Sequence, residues 1–386
     1  MEKIIKAAVD RGASDLHIKA GDVFRARING KLVRLTKQAL TPEQTRSIAL
    51  QLISNENDRA RIDTLRDYDG SWGAAGIGRF RVNILRQRSS FMIVMRVIPF
   101  EVPSLAALAV PAVLQKIAEA ERGMVLVTGV TGSGKSTTMA ALINHINQHH
   151  NKHIVTLENP IEFLHRDLQS SVTQREIGVD TESFQTGLRA ALRQDPDVVL
   201  IGEMRDPETV NTAMKAAETG HFLISTVHTP DAQSTLLRII AMFPPEEQEM
   251  VRVRLAETLH AVISQRLLPR ADGKGRVAAL EIMIVTPTIR ALMLDRDRVG
   301  EIRDFIAEGR DQYGMQTFDQ HLEDLVTDGT VEFAVALAAS TSPSDFQLKM
   351  QLFSRPSSGV GGSAHSPSTI DPASGRFGAG QEFLDR

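Results

Sequence analysis

At 386 residues, with 42% apolar and 24% charged side chains, the chain has a soluble globular composition and length for about two or three domains. It has no cysteine, which excludes disulfides, thiol chemistry and cysteine-ligated zinc; no apolar run reaches the ~18 residues of a membrane span, and Met1-Glu2-Lys3 opens no signal peptide, so a cytosolic protein is expected. The net charge of −3 is unevenly spread, with 18 Lys and Arg against 10 Asp and Glu in residues 1–100 and 26 against 37 in the remainder; the basic residues are not clustered with stacking aromatics, so complementary docking of the two halves, across subunits, explains the split as well as nucleic-acid binding does.

In chain order, Ile4, Ile5, Ala8 and Val9 recur at helical spacing and Gly12 stands as a stop, so a short helix opens the fold. Asp15–Lys19 alternates as a strand. Val23–Ile28 and Lys31–Leu35 flank Asn29-Gly30, which accepts the positive φ angles of a type I′ turn and predicts a hairpin. Thr41-Pro42-Glu43 supplies an N-cap, a proline at the first helical position and an acid in the first turn of a helix reaching about Ile53. Arg79–Leu85 and Phe91–Ile98 form a second expected hairpin, with Phe80, Val82 and Ile84 on one face and Arg81 on the other, alongside Arg96 of the partner strand. By pattern alone, such an arginine row is the solvated face of an antiparallel strand. Trp72, flanked by Gly70 and Gly73, reads as a packing anchor between the hairpins. Residues 1–98 thus read as a small α+β domain, and 99–111 as a linker.

From residue 112 the pattern becomes that of a parallel α/β sheet. Strands are expected at Met124–Thr128, His153–Leu157, Val198–Ile201 and Phe222–Thr226, with helices over 135–148, 183–193, 207–218, 231–241 and 245–265. A further strand, Val277–Ile284, and helices at 287–294, 299–308 and 318–326 complete a domain ending near 353. In residues 354–386, 16 of 33 are Ser, Gly or Pro, which predicts a disordered tail.

The organising motif is Gly129-Val130-Thr131-Gly132-Ser133-Gly134-Lys135-Ser136, which fits G-x-x-x-x-G-K-[ST] between a predicted strand and a predicted helix. Its glycines let the loop curl until backbone N–H groups face the β- and γ-phosphates of a nucleotide, and the helix N-terminus adds its positive dipole end. Gly129, Thr131, Gly132, Ser133 and Gly134 form the cradle, Lys135 supplies a point charge, Ser136 is placed to bind Mg²⁺, and Thr137 extends the phosphate site. The chain is therefore expected to bind ATP or GTP.

Nucleotide hydrolysis also needs a carboxylate for the attacking water, further acids around Mg²⁺ and a cation for the γ-phosphate. Ligands of an open parallel sheet sit at the carboxyl ends of its strands, and there the sequence places Glu158 and Glu162, Glu203, and His228. Four histidines, His145, His149, His150 and His153, invite a metal reading; they lie at the polar end of the P-loop helix, where the dipole suits them without a metal.

The runs Thr156-Leu157-Glu158-Asn159-Pro160-Ile161-Glu162-Phe163, Thr173–Gly178, Leu188–Asp197, Ile201-Gly202-Glu203-Met204-Arg205-Asp206 and Ala217–His221 resemble the secretion-type ATPases of type IV pili, nearest to retraction motors of the PilT/PilU type, from about Gly12 to Phe353. The resemblance implies an α/β fold, a RecA-like P-loop ATPase domain preceded by a small α+β (PAS-like) domain. It implies that Glu162 activates water with Glu158 as companion, that Glu203 acts on the Mg²⁺ shell, and that His228 senses the γ-phosphate. It also implies that Arg81 and Arg96 reach a nucleotide site, in place of the solvated-face reading. The expected assembly is a homohexamer hydrolysing Mg²⁺-ATP to power pilus retraction and twitching motility, cytoplasmic and peripheral to the inner membrane at the pilus base, where it acts on a platform protein; no nucleic acid is expected. Asn159 stands where the family usually has aspartate, and Gly314–Gln320 and Gln265–Arg270 are PilU-like whereas Gly202–Asp206 is PilT-like. These departures keep open an accessory PilU-like nucleotide-binding subunit that works with a sister retraction ATPase.

Overall fold

A computed structural model of the chain describes residues 1–98 and 101–353. The expected tail, 354–386, and the first residues of the expected linker lie outside the described residues.

The chain opens with α1 (Glu2–Val9), β1 (Ala13–Lys19), β2 (Arg25–Ile28), β3 (Lys31–Arg34), α2 (Pro42–Leu52), α3 (Glu56–Ala60), β4 (Asp67–Ala74), β5 (Gly78–Gln87) and β6 (Ser90–Ile98). The strands form one antiparallel sheet in the order β3-β2-β1-β6-β5-β4. At the predicted turn, Asn29 and Gly30 hold φ of 49° and 76°, and Ile28 pairs with Lys31. Thr41 caps α2 through a capping box with Gln44, as its position before Pro42 predicts. On one face Leu16, Ile18, Phe80, Val82, Ile93 and Met95 are buried against the helices, each such side chain stabilising the fold by about 1.5–3 kcal/mol. Arg79, Arg81 and Arg96 stand on the opposite face, because side chains alternate along a strand.

Two elements of this region, α3 and β4, were not predicted. The second hairpin is the end of a three-stranded meander, since β4 pairs along the whole of β5. Its Asp and Gly residues, poor strand formers, hide it. Trp72 lies on β4, half-buried, with its ring 5.7 Å from that of Phe80.

Beyond residue 101 the elements are α4 (Val113–Ala118), β7 (Gly123–Thr128), α5 (Lys135–His149), β8 (His153–Glu158), β9 (Ser171–Glu176), α6 (Phe184–Ala191), β10 (Val198–Ile201), α7 (Pro207–Glu218), β11 (Phe222–Val227), α8 (Ala232–Ile240), α9 (Gln248–Thr258), β12 (Leu259–Pro269) and β13 (Arg276–Ile284). Helices α10 (Pro287–Leu294), α11 (Ile302–Glu308), α12 (Arg310–Tyr313), α13 (Phe318–Thr327), α14 (Phe333–Ala339) and α15 (Pro343–Phe353) follow. The sheet order is β13-β12-β7-β11-β10-β8-β9, with every neighbouring pair parallel except β12 and β13. Helices cover both faces: Val210, Met214, Leu236 and Leu255 pack on one, and Leu114, Leu142, Ile143 and Ile146 on the other. This is the RecA-like α/β class expected from the sequence. Leu105, within the expected linker, is buried in the second of these cores.

The helix expected over 245–265 is a correction. It ends at Thr258, and Leu259–Pro269 is a strand inserted between β7 and β13. Ala261, Val262, Ile263 and Ser264 are all buried, so both strand faces are apolar and the period-2 signal that distinguishes strand from helix is lost. The edge strand β9, Ser-Val-Thr-Gln-Arg-Glu, was missed for the opposite reason, having little apolar content.

Candidate active site

Strands β7, β8, β10 and β11 are neighbours that all run the same way, so the loops after them converge at one edge of the sheet. A cavity of about 460 Å³ opens there.

Its floor is the P-loop. Gly129, Gly132 and Gly134 hold φ of 141°, 80° and 90°, a region that side chains other than hydrogen rarely occupy. Space forbids a side chain as well: a Cβ on Gly129 would lie 2.4 Å from the Gln265 carbonyl oxygen, and one on Gly134 would lie 2.7 Å from Gln265 Nε2. Gln265, on β12, donates to the Ser133 carbonyl (2.7 Å) and accepts from Thr138 Oγ1 (2.8 Å), bracing the loop from behind. Lys135 Nζ donates to the carbonyls of Gly129 and Val130, both at 3.0 Å. Burial pushes its pKa below the usual lysine value, while the charges of Glu162 and Glu203 pull it back up. Thr131, Gly132, Gly134, Lys135, Ser136 and Thr137 line the cavity. Gly129 and Ser133 lie behind this lining, Ser133 with its hydroxyl buried and unpartnered.

Glu158 ends β8 and accepts hydrogen bonds from Thr156 Oγ1 (2.7 Å) and Gln174 Nε2 (3.0 Å); burial nonetheless raises its pKa. The Asn159-Pro160 peptide is cis, and Glu162 follows with its side chain exposed at the cavity. Glu203 follows β10, with Oε2 2.6 Å from Arg205 Nε and 3.6 Å from His228 Nε2. The loops after β10 and β11 are tied further by Thr226 Oγ1, which donates to the Gly202 carbonyl at 2.7 Å.

Arg81 joins the cavity wall from the N-terminal sheet. Arg96 faces Arg81 directly across the β5–β6 pair but does not line the cavity; its Nε donates to Asp15 Oδ1 at 2.9 Å, with 72% of the side chain exposed. His145 and His149 lie elsewhere, their contacts being Glu119 (3.4 Å) and the His145 carbonyl (2.8 Å).

Sequence reasoning missed four contributors: Arg205, Gln265, Arg276 and His165. The last lines the cavity with Nδ1 buried and unpartnered, and burial lowers its pKa to about 4, so it is neutral at physiological pH. Arg205 lies within a motif run and was legible; His165 falls two residues past one, Gln265 arrives from β12, the strand hidden by burial, and Arg276 stands one residue before the strand expected at Val277–Ile284.

A glycine cradle on a helix N-terminus, a lysine, three glutamates, two histidines and three arginines thus meet in one cavity, the apparatus of a P-loop nucleotide site. The chain belongs to the family of Type II/IV secretion system proteins, which it matches over residues 1–332. Among its relatives, it is 40% identical over 351 residues to the type IV pilus ATPase PilU of Pseudomonas aeruginosa, covering 91% of both chains. It is 41% identical over 344 residues to the type IV pilus retraction ATPase PilT of the same organism, covering 89% of this chain and 99% of that protein. The crystal structure of the pilus retraction motor PilT with bound ADP superposes with a TM-score of 0.82 at 42% identity, covering 90% of this chain and 99% of that one.

Proposed function

We propose that this chain is a motor ATPase that powers type IV pilus retraction by hydrolysing ATP. The observation that carries the reading is the convergence of Lys135, Glu162, Glu203, His228 and Arg81, drawn from four strand ends and a second sheet, on one cavity. The likeness to PilT and PilU supplies the biological setting.

In this reading the P-loop N–H groups and Lys135 hold the β- and γ-phosphates. Glu162 accepts a proton from a water, whose oxygen attacks the γ-phosphorus while the bond to the β–γ bridging oxygen breaks, giving ADP and inorganic phosphate. Arg81, with Arg96 beside it, offsets phosphate charge, and His228 reads the γ-phosphate through Glu203. Ser136 and Glu203 offer the hard oxygen donors that suit Mg²⁺, and the ion would supply charge neutralisation at the phosphates. The two sheets act as two domains, 1–98 and 112–353, joined by 99–111, and six copies form the working ring. In this reading the ring works in the cytoplasm against an inner-membrane platform protein. Among the described residues no helix is long and apolar enough to cross a membrane.

The test is Mg²⁺-ATP turnover across protein concentration for the wild type, Glu162→Ala and Arg81→Ala. A steep rise as rings assemble, lost in both variants while nucleotide binding persists, supports the motor. Asn159 on the cavity wall favours a second reading, an accessory subunit that works with a sister ATPase: wild type that binds ATP but scarcely turns over, indistinguishable from both variants, would establish it.

A further inference from the structure

The last residue of β9, Glu176, is a carboxylate with only 1% of its side chain exposed, and it is held by two parts of the molecule at once. Its Oε2 accepts from Arg79 Nη2 of the N-terminal sheet at 2.6 Å and from the backbone N–H of Ile161 at 3.2 Å. Ile161 immediately precedes Glu162. Glu176 is also the register partner of Glu158 in the β8–β9 pair, so it underlies the whole segment from Glu158 to Glu162. Arg79, in turn, is fixed by Ser71 Oγ at 2.9 Å and stands two residues before Arg81 on the same face of β5. One ion pair therefore ties the strand that carries Arg81 to the loop that carries Glu162.

We infer that Arg79 and Glu176 form a clasp that positions Glu162 and Arg81 together for hydrolysis. Neither residue lines the cavity; both are positioning residues. With the clasp closed, the Glu162 loop and the Arg81 strand are held at a common distance across the cavity. With it open, the Ile161 N–H remains on Glu176 but Arg81 is released from register with Glu162, so nucleotide stays bound on the P-loop while the hydrolytic pair separates. The inference rests on the ATPase reading above and adds to it the element that couples the N-terminal sheet to the water-activating carboxylate.

The experiment compares full-length wild type, Arg79→Ala, Glu176→Gln, the double variant and Asn55→Asp for steady-state Mg²⁺-ATP turnover, for affinity toward a fluorescent ADP analogue, and for melting temperature. Arg79→Ala strands a buried carboxylate and lowers stability; Glu176→Gln removes the ion pair without stranding a charge, and carries the comparison if the alanine variant melts at the assay temperature. Asn55→Asp removes a second hydrogen bond between the N-terminal region and the rest of the chain, Asn55 Nδ2 to the Gly178 carbonyl at 2.9 Å, and keeps the oxygen that caps α3. The expected result is a kcat lower by about tenfold in both clasp variants, with KM and analogue affinity within about twofold of wild type. The double variant should be no slower than the slower single one, and Asn55→Asp should match wild type. Wild-type kcat in both clasp variants, or an equal loss in Asn55→Asp, overturns the clasp while leaving the ATPase reading intact. A wild type without turnover overturns both.

Discussion

Glu203 and His228 meet at 3.6 Å, Oε2 to Nε2, and so join the loops after two adjacent strands at the edge of the cavity. The contact is long for a hydrogen bond. It suits a pair that tightens when a phosphate arrives, because Arg205 already holds the same carboxylate oxygen at 2.6 Å. His228→Ala is therefore expected to lower kcat by about 10- to 100-fold with nucleotide affinity little changed, as seen by comparing turnover with equilibrium binding.

The two arginines of the β5–β6 pair should separate experimentally. Arg81 lines the cavity and Arg96 is engaged by Asp15. Arg81→Ala should cost about tenfold or more in kcat, and Arg96→Ala less, in parallel assays. Since the Arg96 side chain is mostly exposed, loss of its pair with Asp15 should change stability by less than about 1 kcal/mol in a denaturant titration.

Gln265→Ala removes both braces of the P-loop, leaving the Ser133 carbonyl and the Thr138 hydroxyl without those partners. A loss of about 2 kcal/mol is expected, from buried polar groups left unpaired. ATP affinity should weaken with it, as read by nucleotide titration.

A fourth expectation concerns pH. Glu281 on β13 is 5% exposed, accepts from the Ala232 N–H at 2.9 Å, and burial pushes its pKa up to about 7. With the folded pKa above the unfolded one, the folded state holds the proton more tightly. This contribution to stability is fully present below about pH 4.5 and is lost as pH rises through 7. Glu281→Gln keeps the acceptor and removes the titration. Relative to wild type it should gain about 3 kcal/mol between pH 4 and pH 8 in chemical denaturation; an equal difference at both pH values would contradict the assignment.

The P-loop was legible because its signal is local: strand, glycines, lysine and helix follow one another within about two dozen residues, and each specifies its own geometry. Glu158, Glu162, Glu203 and His228 were legible because strands in a parallel sheet deliver their next residues to one edge. What remained hidden depends on contacts distant in sequence. Gln265 braces a loop 132 residues earlier, from a strand whose two buried faces erase its periodicity. Glu176 accepts from a residue 97 positions away, and nothing in Thr-Gln-Arg-Glu marks that glutamate as buried. Arg81 and Arg96 share one pattern, and only the packing of β1 against β6 assigns Arg96 to Asp15.

Strand β12 also has two sides. Gln265 turns toward the phosphate loop, whereas Arg266, its neighbour, turns the opposite way, lying 3.9 Å over the Phe318 ring of α13 and donating to the Ala339 carbonyl at the end of α14. A single peptide bond therefore separates the wall of the loop from the anchor of the C-terminal helices. In mechanical terms β12 is a plank pinned between β7 and β13, with the phosphate loop fastened to one side of it and the C-terminal helices to the other.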